Sequence, residues 1–267
     1  SHGGGYSSSY SYTGWKGYIY DMVLDSSNNL YVVGATRLST YTRSTDYYGL
    51  LDFFILAYNS SGTRIWGDQK GSKLYFKQTV PWYGNANDYA NAVAVDSSGN
   101  VLVAGKSNGT HDLGYAPIIK YNSSGSEIQS HALGGHVYDG VEAMVLNSSG
   151  KYMAAGSIIQ YNSNFHTDIG VWCQTGSSLS NVTSSRQSTA YSESSRAIAI
   201  DSSDNFYVGS DVSLPINGIN TKGGFDIVIF KYNSSCSLQW TKLYGTSGND
   251  YFYEIAVDSN DDIYVAG

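Results

Sequence analysis

The phrase Ala92-Val93-Ala94-Val95-Asp96-Ser97-Ser98-Gly99-Asn100-Val101-Leu102-Val103-Ala104-Gly105 recurs along this 267-residue chain, and that repetition leaves few folds open. Its counterparts occupy 22–34, 143–156, 197–210 and 254–267, each anchored on one turn residue: Asp25, Asp96, Asn147, Asp201 and Asp258. The anchors are 71, 51, 54 and 57 residues apart, against the roughly 40 to 50 that a four-stranded propeller blade needs. One copy cannot bury its own apolar face, so neighbouring copies must stack.

Within a copy the order of residue types reads as a hairpin. Ala92–Val95 and Ala197–Ile200 are short, apolar and partly β-branched, as a buried inner strand requires. Asp-Ser-Ser-Gly-Asn is a tight turn in which Asp caps its own backbone and Gly or Asn takes a positive φ. The returning strand ends at Gly in four copies of five. A third strand repeats as Phe53–Gly62, Ile118–Gly125 and Ile227–Ser235, with a degraded copy at Ile169–Gly176; a more polar fourth strand is marked by Trp66 and Trp240. No window carries a helical period. The expectation is an all-β protein, one domain over 1–267. It is a β-propeller of about five four-stranded blades, with inner-strand repeats near 18–34, 89–105, 140–156, 194–210 and 251–267. The last copy stops after two strands, and Tyr6–Trp15 is placed to supply an outer strand that closes the ring.

This unit, D-x-A-x-A-V-A-V-D-S-S-G-N-V-x-V-A-G followed by D-x-x-I-x-K-Y-N-S-S-G, resembles the beta-propeller repeat (SBBP) family. Asp88–Gly105, Ile118–Gly125, Phe225–Ser235 and Asp250–Gly267 carry the match. The resemblance implies a secreted or surface-attached protein of bacteria or archaea, often inside longer adhesin-like chains. Its name implies seven blades where this chain has about five, and it implies no catalytic residues.

Composition agrees with that location. Only 14% of residues are charged, roughly half the usual share, so Ser, Thr, Asn, Gln and 25 Tyr carry the polar surface. The net charge of -7 without a Lys/Arg cluster excludes nucleic acid as a partner. No apolar run reaches membrane-span length, no signal peptide is visible, and the opening Ser1–Gly5 fits a processed end. Cys173 and Cys236 permit one disulfide, though two free thiols fit the spacing equally well. Sequons begin at Asn59, Asn108, Asn122, Asn147, Asn181 and Asn233; turn chemistry explains the repeated Asn-Ser-Ser copies, and glycosylation is open to a host that carries it out.

Eight residues before each anchor stand Asp88, Asp139, Glu193 and Asp250, with Gly17 in the first copy. A ring of carboxylates there would suit a hard cation such as Ca²⁺; capping of a turn within each blade explains the same spacing, and no cofactor is expected. A glycoside hydrolase would need acids in unlike environments, whereas these are equivalent by repeat. The histidines (His2, His111, His131, His136 and His166) are scattered. An insertion over 67–87 carries Trp82 and Tyr83, aromatics suited to stacking on sugars or docking a partner. The expectation is therefore a non-enzymatic extracellular or cell-surface protein acting in adhesion or self-assembly, with itself or other surface proteins as partners. The alternatives are a lectin-like glycan-binding module and a glycoside-active enzyme.

Overall fold

The computed structural model describes residues 17–37, 51–67, 88–107, 116–134, 139–160, 166–189 and 191–267. The first blade consists of β1 (Gly17–Leu24), β2 (Leu30–Arg37), β3 (Leu51–Tyr58) and β4 (Arg64–Gly67), paired antiparallel in chain order. The second repeats this order with β5 (Asp88–Val95), β6 (Val101–Ser107), β7 (Pro117–Tyr121) and β8 (Glu127–Ala132). The third has β9 (Gly140–Leu146), β10 (Tyr152–Gln160), β11 (His166–Gln174) and β12 (Val182–Gln187). The fourth has β13 (Ala197–Ile200), β14 (Phe206–Val212), β15 (Asp226–Tyr232) and β16 (Leu238–Tyr244). A two-stranded sheet of β17 (Glu254–Val257) and β18 (Ile263–Ala266) follows. The fold is all-β and propeller-like. Tyr6–Trp15, the expected closing strand, lies outside the described residues.

The apolar runs are explained by burial on both faces of each blade. In β6, Val101 and Val103 join Tyr31, Val33 and Ile55 of the first blade, while Leu102 and Ala104 join Tyr152, Ala154 and Trp172 of the third. Met153 and Val171 pack on Val208 and Phe230 between the third and fourth blades. Tyr207 and Ile229 pack on Phe252 and Ile255 beyond that. Four interblade cores thus replace one central core.

The anchoring turns do the capping that their sequence demands. Asp96 Oδ1 accepts the N–H groups of Ser98 and Asn100, both at 2.9 Å. Asp25 and Asp201 repeat the pattern and add a tyrosine hydroxyl, from Tyr31 and Tyr207. Burial works against the charge on Asp201, but bonds from Asn205, Tyr207 and Ser203 outweigh it and hold the carboxyl below its ordinary range. The third-strand turns use asparagine in the same way, at Asn59, Asn122 and Asn233. A disulfide joins Cys173 in β11 to Cys236 in the turn after β15, tying the third blade to the fourth.

Candidate functional site

A cleft of about 650 Å³ opens among the third, fourth and fifth sheets. One strand beside it carries a departure from the repeat. In the second blade the inner strand bulges at Asn91, between Ala90 and Ala92, and its Tyr89 carbonyl presses on Gly105 so closely that a Cβ there would overlap it. Gly34 and Gly156 meet the carbonyls of Tyr18 and Gly140 in the same way. The fourth blade has Ser210 at this position. Its hydroxyl donates to the Ser194 carbonyl at 2.8 Å, and the ladder between β13 and β14 begins only at Ala197 and Gly209. Ahead of that start the Arg196 N–H still donates to the Gly209 carbonyl, while Ser195 donates from its N–H and its hydroxyl to the Gly156 carbonyl of the third blade.

Glu193 sits at its wall, 5% exposed. Its N–H donates to the Thr167 carbonyl at 2.7 Å, as Asp250 N–H donates to that of Phe225 at 2.6 Å, so the two acids share one backbone frame. Their side chains differ. Asp250 caps its own loop, accepting the N–H and hydroxyl of Thr246 at 2.7 and 3.0 Å. Glu193 is one methylene longer, accepts the Thr189 hydroxyl at Oε1, and buries Oε2. Burial pushes its carboxyl up to about 7; the Thr189 bonds and nearby His166 pull down, and Asp168 pushes further up.

Behind Glu193 lies a charge cluster that the sequence reading missed. Asp168, fully buried in β11, meets His166 Nε2 at 3.3 Å and Arg186 Nε at 3.2 Å. By strand register Asp168 corresponds to Asp226, the Asp of the D-x-x-I motif, so the motif held a signal for it. His166 and Arg186 have no counterparts in that motif and mark this junction as different.

A second carboxyl faces the cleft from the bulge of β9. Glu142 Oε2 accepts Asn91 Nδ2 at 3.0 Å. Burial raises this carboxyl, while Lys106 and Arg196 draw it back towards ionisation. Arg196 Nε also pairs with Asp211 at 3.0 Å, and Phe225, Tyr251 and Tyr253 supply an aromatic wall. Glu142, Arg196 and Tyr253 all occupy the bulge register, a row in which residue type is not repeated from blade to blade.

The four acids expected to act alike do not. Asp139 is buried and accepts the Ile159 N–H of β10 at 2.7 Å, a bond across the blade, where Asp250 bonds within its own loop. Asp88 opens β5 opposite Ser107. Glu193 alone of the four lines the cleft. Among the described residues no group of three His, Cys, Asp or Glu is placed to hold a metal ion. Trp82 and Tyr83 lie outside the described residues.

Two stretches of the chain match a known family. Residues 74–111 and 239–267 match the SBBP beta-propeller repeat. No curated protein matches the chain. Among solved structures, a novel α-L-arabinofuranosidase from Clostridium thermocellum ATCC 27405 is similar at 12% identity and a TM-score of 0.42, over 85% of this chain and 93% of that one. The expectation of a non-enzymatic adhesive or self-assembling protein is corrected here. Its premise of equivalent acids fails, because Glu193 has surroundings that Asp139 and Asp250 lack.

Proposed function

We propose that the cleft is a glycoside-cleaving site acting on a neutral glycan, with Glu193 as proton donor. The observation that carries this reading is the Glu193 carboxyl, moved to about 7 by burial in a cleft that Glu142 and an aromatic wall also line. A proton donor to a glycosidic oxygen must hold its proton near the working pH, and burial is how a glutamate does so. Glu142, which burial raises and which Lys106 and Arg196 draw back towards ionisation, is the second carboxyl that such a reaction requires. Phe225 and Tyr251 stand 5.5 Å apart and offer ring faces to a sugar. The cleft cation Arg196 is already paired to Asp211, which favours an uncharged sugar over an acidic one. The disulfide and the low-charge surface support action outside the cytosol.

The test is release of product from a panel of neutral glycosides. Glu193→Gln abolishes turnover of substrates with sugar leaving groups while leaving the circular dichroism spectrum unchanged. The loss is smaller on nitrophenyl glycosides, whose leaving group needs little protonation. Saturable glycan binding without product release would instead mark a lectin-like module.

A further inference from the structure

The register that builds the cleft also arranges residues elsewhere on the same mouth. Tyr18, Tyr89, Ser194 and Tyr251 occupy one position of the repeat, and Tyr20, Asn91, Glu142, Arg196 and Tyr253 occupy the bulge position two residues on. From the first set Ser194 and Tyr251 line the cleft; from the second, Glu142, Arg196 and Tyr253 do. Tyr18, Tyr20 and Tyr89 therefore stand on the axial rim from which the cleft opens.

The three rings form an ordered group. Tyr18 and Tyr20 stack with centroids 6.4 Å apart and planes 16° from parallel, and Tyr20 meets the edge of Tyr89 at 6.1 Å. Yet Tyr18 and Tyr20 remain 47% and 44% exposed. Packing against each other spends little of their area, so broad ring faces are left to solvent. An aromatic face presents π-density to the C–H groups of a pyranose or furanose, and its hydroxyl reaches the sugar's own hydroxyls. No charge is needed, which fits the neutral substrate argued above.

We propose that Tyr18, Tyr20 and Tyr89 form a sugar-stacking platform that binds the extension of a neutral glycan chain whose scissile bond lies at Glu193. This rests on the glycoside reading of the cleft. It assigns the substrate class as a polysaccharide or long oligosaccharide.

The experiment compares wild type with Tyr18→Ala/Tyr20→Ala and with Tyr20→Trp, on two readouts. One is retardation in native gels containing xylan, arabinan or β-glucan; the other is turnover of nitrophenyl monoglycosides. Expected for the double alanine variant is a loss of polysaccharide affinity of about tenfold, the sum of two ring contacts of ordinary strength, with monoglycoside turnover unchanged. Tyr20→Trp keeps or strengthens retardation. Equal retardation of wild type and double variant overturns the platform, as does absence of retardation of the wild type by every polysaccharide. A change of oligomeric mass in the double variant would also overturn it, because a second copy would then cover the rings. Platform-dependent retardation in a protein that cleaves nothing would keep the platform and remove the hydrolase reading.

Discussion

Asp204 of the fourth blade grips Ser148 of the third with both carboxylate oxygens: Oδ1 accepts the Ser148 N–H at 2.8 Å and Oδ2 its hydroxyl at 2.7 Å. Asp261 repeats the grip on Ser202 of the fourth blade, at 2.8 and 2.6 Å. Both aspartates sit at the left-handed turn position, with φ of 61° and 65°, where the second and third blades have Gly99 and Gly150. Two charge-assisted bonds between blades offset the cost of a positive φ in a non-glycine residue.

Replacing Asp204 by Gly separates these terms. The turn keeps its conformation and loses only the grip. The expected result is a net loss of about 1 kcal/mol in urea unfolding, since the bonds are solvent-exposed and some backbone strain is relieved. A stabilised variant would show that the strain outweighs the bonds.

The disulfide works between the same two blades. Cys236 has a φ of 64°, at the position held by Gly62 and Gly125 in the equivalent turns. The bond closes a span of 63 residues, and loop-closure entropy for such a span corresponds to about 4 kcal/mol. Cys236→Gly should lower the melting temperature of the oxidised protein but melt above the reduced wild type, because glycine accepts the turn without strain. Thermal melts with and without reductant give the comparison.

Gly125 and Gly62 give a matched pair. Both turns need a positive φ, at 81° and 77°, so alanine is strained at either. At Gly62 a Cβ would meet nothing within 4 Å, whereas at Gly125 it would lie 2.6 Å from the Trp66 ring. Trp66 is held there between Tyr31 and Tyr121, at 5.9 and 6.1 Å. Gly62→Ala should cost about 1 kcal/mol, the backbone term alone. Gly125→Ala should cost about 2 kcal/mol more, because the indole must leave its place. Equal costs in urea titrations would mean that Trp66 moves freely.

How much of this was legible follows from which residues obey the repeat. Ala92–Gly105 and its copies specify two strands and a turn locally, so the blade architecture could be read from them. The Asp96 turn is built as its sequence says. The cleft could not be read in the same way, because it depends on exceptions to the pattern. Ser210 in place of a strand-end glycine was visible, but the bond its hydroxyl makes to the Ser194 carbonyl depends on a contact in three dimensions. Glu193 was named among four acids and judged equivalent to them. What distinguishes it is a buried Asp168 and His166 some 25 residues earlier, brought beside it by the pairing of blades.

Burial raises the Glu193 carboxyl, and that cluster adjusts it. Glu193 carries a raised value in the folded protein, so its neutral form contributes stability at low pH that is lost as pH rises from 4.5 through about 7. The sign is opposite to that of the capped Asp201, whose depressed value favours folding at higher pH. Asp168 pushes Glu193 up and His166 pulls it down. Asp168→Asn removes the push, so the alkaline limb of glycoside turnover should move to lower pH while the acid limb, set by Glu142, stays. The same change breaks the ion pair with Arg186, costing about 3 kcal/mol; Arg186 is partly exposed and can turn to water, which keeps the cost at the low end for a broken buried pair. A purely structural role for Asp168 would give the stability loss with an unmoved pH profile. Paired urea titrations and rate profiles of wild type, Asp168→Asn and Glu193→Gln therefore separate the two roles, because Glu193→Gln flattens stability between those pH values without breaking the Asp168–Arg186 pair.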